Sequence, residues 1–108
     1  MEKTKIQPKD YLRAISALND ETRVLILRFL QEYGESCVCD LELSLGMLQS
    51  RLSRHLKILM EAGYLEKERK GVWSHYYIAP QDWFREKALE NIKMVDVKIP
   101  PQQKACPS

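Results

Sequence analysis

The chain has only four glycines, and their positions limit its fold more than any other feature. Gly34, Gly46 and Gly63 each follow a stretch in which apolar residues recur three and four apart, the spacing of a helix face. Glycine commonly stands just past a helix C-terminus, so each of the three reads as a stop. Gly71 falls in a stretch of different period, after Lys70, where it reads as a turn. The chain is therefore cut into short helices that cannot stand alone and must pack on one another.

Pro8 suits the first turn of a helix, with Tyr11, Leu12, Ile15 and Leu18 following at helical spacing. Asp20 reads as the N-cap of a second helix carrying Val24, Leu27 and Leu30 and ending after Tyr33. Val38, Leu41 and Leu45 mark a third of about two turns, and Leu52, Leu56 and Leu59 a fourth. From Tyr64 to Ile78 aromatic and β-branched residues flank Lys70-Gly71, predicting a two-stranded hairpin. Pro80 restarts a helical pattern through Trp83, Ala88, Leu89 and Ile92, and Pro100-Pro101 with polar neighbours predict a loose tail. The expected organisation is one domain over 1–95 and a flexible tail over 96–108. Its class is mainly α with a small β-hairpin, in the order ααααββα, which is that of a winged helix-turn-helix.

With 108 residues, 44% hydrophobic and 30% charged, there is room for one modest core, which excludes a multidomain enzyme. No apolar run exceeds the four residues of Val24 to Leu27 or Tyr76 to Ala79, so no membrane span is expected. The first residues lead into no apolar segment, which makes a cytoplasmic address the expectation. Three cysteines in such a compartment point to thiol or metal chemistry before a disulfide framework.

A net charge of +2 is no general nucleic-acid signature, but the charge is patterned. Arg51, Arg54 and Lys57 stand in a stretch without acids, and Lys67, Arg69 and Lys70 gather again in the hairpin. Ser50, Ser53, Arg54 and Lys57 fall at i, i+3, i+4 and i+7, a polar and basic stripe opposite the leucines of the fourth helix. In the second helix of a helix-turn-helix that stripe faces the major groove of double-stranded DNA. Gln49 and Arg51 are placed to read adenine and guanine edges, and Arg54 and Lys57 to hold phosphates. Arg69 and Lys70 at the hairpin tip could follow the adjacent backbone or minor groove. Taken singly, each cluster is also what any solvated helix face requires.

Asp20-Glu21-Thr22-Arg23, Glu35-Ser36-Cys37-Val38-Cys39-Asp40-Leu41, Ser53-Arg54-His55-Leu56-Lys57 and the hairpin Gly71-Val72-Trp73-Ser74-His75-Tyr76-Tyr77 together resemble the ArsR/SmtB metalloregulatory repressors. The likeness is greatest to the arsenite-responsive type. It implies a homodimer joined through the first and last helices, seated on an imperfect inverted repeat and released when metal binds. Half-sites would lie about one helical turn apart, roughly 34 Å.

Cys37 and Cys39 flank the start of the third helix, where exposed amides and the helix dipole are expected to favour thiolate. Thiolates select soft ions, and As(III) or Sb(III) as inducer would take two or three sulfurs in a pyramid. Several arsenite-responsive relatives have a third cysteine where this chain has Glu42. Cys106 could supply the third metal-binding sulfur from the same or the other subunit, an exogenous thiol or a two-sulfur site being the alternatives. Glu42 could lend an oxygen to cadmium, lead or zinc, although the last helix has no histidine for a zinc site there. His55 and His75 read as packing, phosphate-contacting or satisfied strand residues. Two buried structural cysteines, or a dithiol that senses oxidation, are further readings of the pair. A small thiol enzyme such as an arsenate reductase is disfavoured, since there is neither a Cys-x-x-Cys nor a glycine-rich phosphate cradle.

Overall fold

The structure, a computed structural model, describes residues 5–105. Its elements run α1 (Pro8–Ala17), α2 (Glu21–Tyr33), β1 (Ser36–Cys37), α3 (Val38–Leu45), α4 (Gln49–Glu61), β2 (Leu65–Lys70), β3 (Trp73–Ile78) and α5 (Trp83–Ile92). The expected punctuation is realised. Pro8 opens α1, and the Asp20 carboxylate accepts the Arg23 amide at 3.1 Å as the cap of α2. Gly46 ends α3 at φ 64° and ψ 39°, a left-handed conformation that turns the Met47 amide back onto the Glu42 carbonyl at 3.2 Å. The last helix begins later than Pro80, because Asp82 caps it by accepting the Arg85 amide at 2.9 Å.

The hairpin differs from expectation in one respect. Lys70 pairs with Trp73 across the turn Gly71-Val72, but the sheet has three strands in the order β1-β3-β2. Ser36 and Cys37 pair antiparallel with Tyr76 and His75. Two residues carry no period, so no sequence pattern announces β1.

Ile26, Leu27, Phe29 and Leu30 of α2, Leu41 of α3 and Leu52, Leu56 and Leu59 of α4 form the centre of the core. Helix α1 contributes only Ala14 and Ala17, leaving Tyr11, Leu12 and Ile15 exposed. Its attachment is partly polar. The Leu18 amide has turned to the Ile15 carbonyl, and the Ala14 carbonyl receives the hydroxyl of buried Tyr64 at 3.1 Å. Burial pushes the Tyr64 phenol up to about 12, so it stays a donor, although the Arg85 charge opposes the shift.

Residues 96–105, expected as a loose tail, have no regular secondary structure but are bound along α3. Val97 and Ile99 pack against the core. Ser44 Oγ accepts the Gln103 amide at 2.8 Å and lies 3.2 Å from the Gln103 carbonyl it donates to, and Asp40 Oδ1 accepts the Ala105 amide at 2.6 Å. Asp40 and Ser44 lie four apart on one buried face of α3, where polar groups need partners, and the tail backbone provides them.

Candidate nucleic-acid interface and thiol sensor

Helix α4 buries its leucines completely, and Gln49, Ser50, Arg51, Ser53, Arg54 and Lys57 are all exposed. Its N-cap, Leu48, makes no side-chain bond and its first turn holds no acid, so the leading amides remain open to an anion. Helix α4 also packs on β2, at whose end Arg69 and Lys70 are exposed. Arg69 Nε donates to the Gly71 carbonyl at 3.1 Å and braces the turn. Lys70 is held by a carboxylate, its Nζ lying 2.5 Å from Glu35 Oε2 and 4.0 Å from Glu68 Oε1. The hydrogen bond to Glu35 raises the Lys70 pKa and keeps the amine protonated. His75 Nδ1 lies 3.4 Å from the same Glu35 oxygen.

Behind the exposed polar face of α4 stands a residue whose role no periodic signal announces. Arg23 Nε donates to the Ala17 carbonyl at 2.7 Å, one of its terminal nitrogens reaches the Ser16 carbonyl at 3.4 Å, and the other lies 3.3 Å from His55 Nδ1. One guanidinium thus closes the C-terminus of α1 and touches α4. Burial lowers the His55 pKa, and Arg23, Arg51 and Arg54 reinforce the shift against the opposing charge of Asp20. A neutral imidazole can accept the Arg23 proton at Nδ1.

Cys37 ends β1 and is the N-cap of α3, and Cys39 is the second residue of that helix. Cys37 is 2% exposed and disulfide-bonded, whereas Cys39 is a free thiol at intermediate exposure. The expectation of a favoured thiolate is reversed at Cys39. Burial raises its pKa first, the Glu42 and Asp40 charges add to that, and a backbone hydrogen bond opposes them only in part. Burial, with the acids of α3, thus outweighs the one backbone hydrogen bond that favours the thiolate. Cys106 lies outside the described residues; Ala105 before it is fastened to Asp40, the neighbour of Cys39. Among the described residues no group of three or more His, Cys, Asp and Glu side chains is placed to hold a metal ion.

Residues 20–67 match the family described as bacterial regulatory protein, arsR family. The chain is 44% identical over 69 residues to the arsenical resistance operon repressor of Escherichia coli, covering 64% of this chain and 59% of that one. The solution structure of a homodimeric winged helix-turn-helix DNA-binding domain from Mycobacterium bovis, a possible ArsR-family transcriptional regulator, superposes with a TM-score of 0.68 at 30% identity, over 79% of this chain and 78% of that one. This chain belongs to the arsR family. The crystal structure of the AntR antimony-specific transcriptional repressor superposes at a TM-score of 0.64 with 27% identity, over 83% and 82% of the two chains. In the arsR winged helix-turn-helix, α3 and α4 form the helix pair and β2 and β3 the wing. Among the described residues no helix is long and apolar enough to cross a membrane.

Proposed function

We propose that this arsR-family chain is a metal(loid)-responsive transcriptional repressor, a homodimer that holds operator DNA through α4 and the wing and lets go when a thiophilic ion is captured. The observation that carries this reading is the position of Cys37 and Cys39 at the junction of β1 and α3. One side of that junction pairs with the wing strand β3 and the other packs on α4, so a sulfur bridge there strains both DNA-facing elements. Gln49 and Arg51 read base edges, Ser50, Ser53, Arg54 and Lys57 complete the groove face, and Arg69 and Lys70 serve the backbone.

Arsenite or antimonite is the favoured inducer. Once a small-molecule thiol reductant has opened the Cys37 disulfide, a trivalent hydroxide exchanges each hydroxide for a cysteine sulfur, the hydroxide leaving with the thiol proton as water, and prefers sulfur to the oxygens that Glu42 offers. The names of the arsenical and antimony repressors resembling this chain support that ion class. Cadmium, lead and zinc are the competitors. Cys106 is the third sulfur in this reading, since the bond from Ala105 to Asp40 tethers the chain beside the α3 start. Exposed Tyr11, Leu12 and Ile15 on α1, with the Tyr11 and Phe84 rings of α1 and α5 tilted against each other at 5.1 Å, support dimerisation through the first and last helices. Coupling between inducer and DNA of about 1 to 3 kcal/mol, or 5- to 150-fold in affinity, is the usual size and acts in both directions.

DNA-binding titrations test the proposal. Cys37→Ser and Cys39→Ser are expected to bind DNA as the parent does and to ignore arsenite. Arsenite-triggered release persisting in both variants refutes the sensor. The disulfide-bonded state of Cys37 favours a second reading, in which the cysteines report oxidation. Release by peroxide and not by arsenite, measured on reduced protein, selects it.

A further inference from the structure

Glu35 belongs to neither the recognition helix nor the wing, yet its carboxylate grips the wing. It immediately precedes β1, two residues before Cys37, and reaches across to Lys70 at the end of β2, thirty-five positions away. The same oxygen faces His75, which is itself the register partner of Cys37 on one side and of Glu68 on the other. A carboxylate on the Lys70 ammonium occupies the place that a DNA phosphate would take, because both anions offer an oxygen acceptor to the same donor. The Lys70 side chain is still 51% exposed, so a phosphate can reach it, but only by sharing or displacing Glu35.

We propose that Glu35, the residue that leads into β1 and the sensor cysteine, is a built-in competitor for the wing's phosphate contact. The inference rests on the DNA-binding reading. When duplex arrives, Lys70 changes partner from carboxylate to phosphate, and the released carboxylate, left beside the His75 ring, adds a negative charge next to the DNA backbone. Glu35 therefore lowers the affinity of the reading head and removes part of its salt dependence, because one cation that would neutralise DNA is already neutralised within the protein. Displacement of β1 moves this carboxylate together with Cys37, which adds a charge-borne route to DNA beside those through β3 and α4. Glu68, at 4.0 Å, is the more distant of the two carboxylates on Lys70.

The probe is a 30-base-pair duplex of arbitrary sequence, since a phosphate contact does not depend on the operator. Binding is measured by fluorescence anisotropy across a salt series for the wild type, Glu35→Gln, Lys70→Gln and the double variant, each checked by circular dichroism. Glu35→Gln is expected to bind about two- to fivefold more tightly, the worth of an exposed ion pair, with a log-log salt slope steeper by up to about one unit. In the Lys70→Gln background the same change is expected to alter neither quantity by more than a fraction of this. A Glu35→Gln protein that binds as the wild type does, or more weakly, overturns the competitor while leaving the DNA reading in place. A wild type with no salt-dependent duplex binding overturns both.

Discussion

Removing the Arg23 side chain should damage the fold and the reading head together. The side chain is 13% exposed and joins the last carbonyls of α1 to His55 of α4. Its shortest bond, Nε to the Ala17 carbonyl at 2.7 Å, is charge-assisted, and such bonds contribute about 1.5 to 3 kcal/mol net. The contact with Ser16 at 3.4 Å is long and exposed and adds little. The Asp20 pair at 3.7 Å adds at most about 1 kcal/mol. Arg23→Ala is then expected to lose about 2 to 3 kcal/mol, allowing for relaxation that lets water reach the freed carbonyls. At an unfolding entropy of about 2.1 cal/mol/K per residue, a chain of 108 residues loses about 4 °C for each kcal/mol, so melting should fall by about 9 to 13 °C. Thermal and urea unfolding at one fixed protein concentration measure this, the concentration being held because any self-association makes stability depend on it. Arg23→Lys keeps the charge but loses the planar fork and should fall between the two. Duplex affinity, read far below melting, should also drop as α4 loses its tether. An Arg23→Ala protein melting within about 2 °C of the parent would refute the clamp, since the Ala17 bond alone, at its lower bound of about 1.5 kcal/mol, predicts a fall of about 7 °C.

Two further outcomes follow from the same structure. His55 has a lowered pKa and the unfolded chain therefore binds the proton more readily. Its contribution to stability should be intact above its ordinary value near 6.5 and fall away as the pH drops from there towards the folded-state value, with His55→Gln flattening that limb of a urea-midpoint profile. Leu12→Asp places a charge on the exposed apolar face of α1, where the residue is 62% accessible in the single chain. Sedimentation should show a folded monomer with duplex affinity reduced about tenfold or more, the second half of the contacts being lost. A Leu12→Asp protein that remains a dimer would move the interface away from α1.

The sequence alone determined where this protein is helical and which faces are wet. Pro8, Asp20, Gly34 and Gly46 set helix limits by capping, and the leucines of α4 placed Gln49, Ser50, Arg51, Ser53, Arg54 and Lys57 outside by period. Those signals are local, spanning a turn or two, so they survive being read along a line. Only the tertiary structure decided how the parts communicate. It paired Cys37 with the wing, set Arg23 against His55 thirty-two residues away, and closed the tail onto Asp40 across sixty-five. It also reversed the acidity expected of Cys39, because burial and the charges of Glu42 and Asp40 act through space at their actual distances and not through sequence spacing. Contacts of that kind have no period and no cap to announce them. They exist because a buried donor, acceptor or charge must find a partner wherever packing brings one within reach.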